Sequence, residues 1–219
     1  MKRTIAAICT GTARPFNGAE TSAIVKRPHE GVVQLFKEGF APDEQADRRV
    51  HGGPEKAVHL YPLDHHDAWR GELADKPALA FLDEPGAFGT NLSVSDINEH
   101  SVFIGDRFRL GSPETGAVIE VNQPRQPCWK VDHRFGTKGM TARIVETGRS
   151  GWYLRVLEEG EVQAGDTFER IEDGHQDWSV ARVFTALIQG KASRAELKEL
   201  AALPHLSPQI QARAVKKLG

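Results

Sequence analysis

The chain has 219 residues, enough for one sizeable core and a small appendage. Its 28 basic and 30 acidic residues leave a formal net charge of -2, which excludes a whole-surface affinity for nucleic acid or anionic lipid and leaves room only for a local basic pocket. Two cysteines rule out a disulfide framework, and 39% hydrophobic with 26% charged residues is the composition of a soluble fold.

The opening MKRTIAAICTGTA imitates a secretion signal, but its apolar run, IAAIC, is shorter than the roughly 7–15 residues of an h-region. It is therefore expected to be a first strand, with Cys9 as packing, in a chain that stays in the cytoplasm. No stretch approaches the roughly 18 apolar residues of a spanning helix, so no membrane partner is expected. TSAIV (21–25), KAVHLY (56–61), SVFIGDRFRL (101–110), GAVIEVNQ (116–123), GWYLRVL (151–157) and DTFERI (166–171) have the alternation and β-branched or aromatic content of strands. IGDRF at 104–108 is echoed by AGDTF at 164–168, each placing Gly-Asp where a chain turns before a strand. Between the strands, PLDHHDAWRGEL (62–73) predicts one short helix with proline in its first turn, and 74–89 reads as loop.

After EDGHQD (172–177) the period changes. Val180, Val183, Phe184, Leu187 and Ile188 form one helical stripe ended by Gly190, Ser193 and Glu196 have capping-box spacing, and Ser207-Pro208 opens a helix with Ile210, Ala214 and Leu218 on one face. The expected fold is mainly β (α+β): a β-barrel with peripheral helices over 1–172, then a three-helix domain over 173–219. About 45 residues are too few to be stable alone, so the tail should pack on the barrel or on a second copy in a homodimer. Its basic residues are mixed with Glu196 and Glu199, which argues against polymeric nucleic acid as partner.

Two stretches can carry chemistry. In QPRQPCWK (123–130), Pro124 and Pro127 stiffen the backbone around Cys128, while Arg125, Lys130, His133 and Arg134 favour a thiolate able to act as nucleophile or metal ligand. The competing reading is a buried, inert thiol. In RRVHGGPEKAV (48–58), Gly52 and Gly53 permit positive φ, so that backbone amides can converge on an anion beside Arg48, Arg49, His51 and Lys56. A plain glycine turn with solvated charge competes with that reading. His51, His59, His65, His66 and His133 show no HExxH or CxxC spacing, which argues against a zinc site. GxSxG, P-loop and GxGxxG patterns are absent too. Trp129, Trp152 and Tyr153 are candidates for an aromatic wall.

Together, DEQADRRVHGGPEKAVHLYP (43–62), FGTNL (88–92), IGDRFRLG (104–111), QPRQPCWK (123–130) and GWYLRVLEEGEVQAGD (151–166) resemble MOSC-domain proteins, in particular the YiiM-type, hydroxylaminopurine-resistance branch with its C-terminal three-helix domain. The resemblance spans nearly the whole chain. It implies a molybdenum cofactor (molybdopterin) with Cys128 as the protein's sulfur ligand to the metal. Around it, Gly52, Gly53, Lys56, Asn91, Arg125 and Lys130 are the expected cofactor-binding residues. His51 and His59, with His133, are the expected proton donors. The implied reaction is reduction of N-hydroxylated nucleobases or related compounds, with electrons from a separate reductase. A non-catalytic cofactor carrier or sulfur-transfer module is the alternative, and a metal-free cysteine enzyme a third. Two positions depart from the branch: Pro42-Asp43 replaces Gly-Asp, and Thr90 stands where an acid is usual.

Overall fold

The computed structural model describes residues 1–46 and 52–219. Its strands are β1 (Lys2–Thr10), β2 (Arg14–Asn17), β3 (Glu20–Ser22), β4 (Arg27–Pro28), β5 (Val33–Phe36), β6 (Gly39–Phe40), β7 (Val58–Pro62), β8 (Leu92–Val94), β9 (Arg107–Leu110), β10 (Ala117–Pro124), β11 (Trp152–Glu158), β12 (Gly160–Val162) and β13 (Thr167–Glu172). Seven of these run side by side in the order β13-β9-β10-β11-β7-β8-β1, and β1 pairs back onto β13. The result is a closed barrel whose ladders are antiparallel except between β7 and β8. Closure removes the open sheet edges that would otherwise invite pairing with other chains.

Strand periodicity explains the interior. Along β11, Trp152, Leu154 and Val156 are buried while Tyr153 and Arg155 between them are only partly so. β10 breaks this alternation, with all eight residues buried, because the C-terminal segment covers its outer face. There Ser207 N–H donates to the Asn122 carbonyl at 2.9 Å and its hydroxyl to Gln123 Oε1 at 2.8 Å. The echoed Gly-Asp pairs form the same turn twice. Gly105 and Gly165 have φ of 88° and 92°, and Asp106 and Asp166 each accept the N–H three residues back at 2.9 Å. These turns feed β9 and β13, which are neighbours in the barrel.

Helices α1 (Asp64–Glu72), α2 (Lys130–Phe135) and α3 (Met140–Thr147) cover a second apolar cluster outside the barrel, built on Tyr61, Trp69, Phe88, Phe135 and Ile144. Here the structure corrects three expectations. Pro62 ends β7 and Leu63 caps α1, so proline does not open that helix. Pro77–Asp83 forms a 3-10 helix inside the stretch read as loop. TSAIV is strand only at its first two residues, as the end of β3.

In the tail, α4 (Val180–Val183) runs on as a π-helical turn over Phe184–Ile188, followed by α5 (Arg194–Ala202) and α6 (Pro208–Leu218). Ser193 and Glu196 make the reciprocal capping box, and Gly190 has φ 75°. Val180, Val183, Leu187, Leu200 and Ile210 belong to the same hydrophobic cluster as Leu60, Phe108, Val121 and Trp152 of the barrel. The tail's apolar stripe is thus buried within the chain itself. Among the described residues no helix is long and apolar enough to cross a membrane.

Candidate active site

One cavity gathers the loops at a single end of the barrel. Its wall takes Cys128 and Arg125 from the loop after β10, His59 from β7, Tyr153 from β11, Gly89 and Asn91 from the approach to β8, and Lys26 and Asp43 from the N-terminal third. The enclosed space is about 90 Å³. It shares Lys56, Gln126, Cys128 and Tyr153 with a groove of about 500 Å³ bounded by α6.

The loop carrying Cys128 is held on both sides. Arg125 N–H donates to the Gly151 carbonyl at 3.0 Å, and the Ser150 hydroxyl to the Arg125 carbonyl at 2.5 Å. Beyond the cysteine, its own carbonyl accepts from Val131 N–H and from the Thr141 hydroxyl, both at 3.0 Å. Buried Glu99 supports the Ser150–Gly151 turn by accepting both amides, at 3.1 and 2.8 Å, and pairs with His65 at 2.8 Å. Cys128 itself is half-buried, while Cys9 is sealed in the core with its thiol pushed up to about 12 by burial.

Positive charge dominates the wall. Among the described residues, Lys26, Lys56, Arg125 and Lys130 face two carboxylates, Asp43 and Glu44. Asp43 is already engaged: it pairs with Lys26 and accepts Gly11 N–H at 2.8 Å and Asn91 Nδ2 at 2.9 Å. Burial lowers the Lys26 ammonium from its ordinary value, with Asp43 opposing. Arg125 is 5% exposed; Nη2 reaches the Phe88 carbonyl at 3.4 Å, and Nη1 has no hydrogen-bond partner among the described residues. A buried guanidinium N–H without an acceptor is costly, so this atom marks where an anionic ligand would be most favourable.

Of the residues expected in the site, Cys128, His59, Lys56, Asn91, Arg125 and Lys130 line one cavity. His51, like Arg48 and Arg49, lies outside the described residues. Gly52 and Gly53 were expected to bind the cofactor; neither is on the wall, and Gly53 N–H donates to Gln45 Oε1 at 3.0 Å. The glycine turn thus orients Gln45, which is on the wall. His59 was expected as a proton donor. Burial, assisted by the Arg125 charge, lowers it to about 3, so the ring is neutral at pH 7 with its nitrogens 3.2 Å and 3.3 Å from the Gly89 and Ser150 carbonyls. His133 faces the Phe16 carbonyl at 2.9 Å and Arg134 pairs with Glu84, both away from the cavity.

Asn91 is a brace as well as a wall residue. Its amide donates to the Cys9 carbonyl and Asp43, and its oxygen accepts His59 N–H. Trp152 is a core residue and Trp129 is exposed, so of the three aromatic candidates only Tyr153 reaches the cavity, with its hydroxyl kept protonated by burial. Lys26 and Asp43 were missed as site residues. Asp43 begins the DEQAD motif, a usable signal, whereas Lys26 carries none.

Comparison with known proteins places this geometry in context. Residues 47–169 match the family model of the MOSC domain, and 178–218 that of the YiiM-like 3-alpha helix domain. The chain is 43% identical over 162 residues to YflK of Bacillus subtilis, covering 73% of this chain and 67% of that one. It is 38% identical over 187 residues to a Gibberella moniliformis protein named reductase, covering 85% of this chain but 32% of the fungal one. The crystal structure of YiiM from Geobacillus stearothermophilus superimposes with a TM-score of 0.81 at 27% identity, with both chains fully covered.

Proposed function

Because the chain belongs to the MOSC-domain family and carries the YiiM-like three-helix domain, we propose that it is a molybdenum-cofactor-dependent reductase of N-hydroxylated nucleobases, such as 6-hydroxylaminopurine, and related N-oxygenated compounds. The observation that carries this reading is the meeting of the half-buried Cys128 sulfur with the unpartnered Arg125 Nη1 in one cation-rich cavity. The donor set fits the implied cofactor: soft sulfur suits a metal rich in sulfur ligands, and an excess of cations suits an anionic pterin phosphate. Among the described residues no three His, Cys, Asp or Glu side chains converge as a metal site, which is consistent with Cys128 serving as one protein ligand to a metal brought in by its cofactor.

When bound, the cofactor supplies the two-electron step that removes oxygen from nitrogen, leaving an amine and, with two protons, water. The chain's residues bind and orient. Cys128 offers its sulfur from a backbone fixed at Arg125 and Val131. Arg125 Nη1 and Lys130 would donate to the cofactor's anionic groups; Lys130 Nζ already donates to the Thr21 carbonyl at 3.3 Å. Tyr153 presents an un-ionised hydroxyl as donor, and neutral His59, with a single ring N–H, braces the wall by donating to one of the two carbonyls beside it.

The fungal relative named reductase is about three times as long as its matched part, so its activity as a whole does not transfer to this chain. The separate electron-donor reductase remains part of our proposal. The test is to offer 6-hydroxylaminopurine and a chemical electron donor to the protein purified with its cofactor. Adenine is the expected product. Bound molybdenum without adenine would instead indicate a carrier.

A further inference from the structure

Cys128 lines a second hollow besides the deep cavity: the groove of about 500 Å³ whose opposite wall is α6. Ala214 of that helix is buried in the shared core, while Gln209, Arg213 and Lys216, at i, i+4 and i+7, line the groove together with Ile210 and Ala212. Arg213 Nη1 donates to the Gln126 side-chain oxygen, which ties the tail to the loop two residues before the cysteine.

Among the described residues, Arg213 and Lys216 line the groove together with Lys56, and no Asp or Glu does. Across the whole chain acids slightly outnumber bases, so a cationic hollow beside the reactive sulfur is a local departure from the average. An uncharged purine needs no such field. A phosphate does: arginine meets it as a planar fork and lysine as a point charge, one helical turn apart here. The volume falls within the roughly 300–1,000 Å³ of sites that enclose ligands of nucleotide size.

We propose that this groove holds the phosphate of a nucleotide substrate, so that the enzyme acts on N-hydroxylated nucleoside monophosphates in preference to free bases, with Arg213 and Lys216 of the three-helix tail completing a site that the barrel begins. The preference for reacting nucleotides rests on the reductase reading above; the phosphate site itself does not.

The test is calorimetric titration of the purified holoprotein with adenosine and with adenosine 5′-monophosphate, for wild type and Arg213→Ala/Lys216→Ala. Both changed residues lie at the surface of α6, and a thermal melt checks that the fold is kept. The monophosphate should bind roughly tenfold or more tightly to wild type, as charge-assisted hydrogen bonds imply, and that ratio should fall toward one in the variant. The kcat/KM ratio for the N-hydroxylated monophosphate over its free base should fall in parallel. Equal binding of the two ligands to wild type, or a ratio untouched by the substitutions, overturns the proposal. So does loss of molybdenum, or of a cofactor-borne nucleotide, from the variant, since the groove would then belong to the cofactor. Phosphate-dependent binding that disappears in the variant, in a protein that reduces no N-hydroxylated compound, upholds the phosphate site and sinks the reductase reading.

Discussion

Glu99 Oε1 accepts the amide hydrogen of Gly151 at 2.8 Å, and the Gly151 carbonyl in turn accepts that of Arg125 at 3.0 Å. A buried carboxylate thereby sets the position of the loop that carries Cys128. Burial alone would raise the Glu99 carboxyl, but the hydrogen bond and charge of His65 and the Gly151 amide outweigh it and hold the group below its usual range. A carboxylate with a depressed folded-state pKa stabilises the fold above its unfolded value, near 4.5, and that stability is lost as pH falls below it. Thermal melts from pH 7 to pH 3 should therefore show a steeper acid loss for wild type than for Glu99→Gln. Glu99→Leu, which strands two amides, should cost about 3 kcal/mol at pH 7.

His59 has the opposite chemistry with the same sign. Its unfolded value is near 6.5 and its folded value about 3, so between these the folded chain binds fewer protons than the unfolded one. The stabilisation is complete above pH 6.5 and declines as pH falls through that window. Urea unfolding at pH 7 and pH 5 should show wild type losing about 2 kcal/mol more than His59→Gln. An imidazole resonance titrating near pH 6.5 would contradict this.

Lys26 and Asp43 form an ion pair with side chains only 9% and 3% exposed. Removing one partner of such a pair leaves the other charge buried. Asp43→Ala should destabilise by about 3–5 kcal/mol, and Lys26→Met by a similar amount. The double variant should recover much of that loss, which a double-mutant cycle from chemical denaturation measures directly.

Thr90 is fully buried, and its hydroxyl has no partner among the described residues. Thr90→Val keeps the shape and removes the unpaired group, so the midpoint of thermal unfolding should hold or rise, by about 1 kcal/mol in stability. Thr90→Glu, which restores the acid usual at this position, should lower it because the new carboxyl would enter a site closed to water.

Long elements were legible because their periods were. The β-branched run of β10, the alternation over β11 and the i, i+3, i+4 stripe from Val180 are each long enough to stand out. β8 has three residues, too few for any period, and α2 is hidden by its charged residues. In the site, Cys128 and Arg125 could be read because two prolines and local charge surround them. Lys26 and Asp43 are 17 residues apart and meet only through the fold. The HGG pattern signalled backbone freedom correctly at Gly53, whose φ is 82°, but local sequence says nothing of Gln45 folding back to take its amide.

The central claim is that the Cys128 sulfur holds a molybdenum cofactor in the cation-lined cavity. Metal analysis with pterin extraction, on wild type and Cys128→Ala expressed in a molybdenum-replete host, tests it most directly. Wild type should contain molybdenum and pterin, and the variant should show a large loss of the metal while still unfolding in one cooperative transition. Equal molybdenum in the two proteins, or none in wild type, would contradict it.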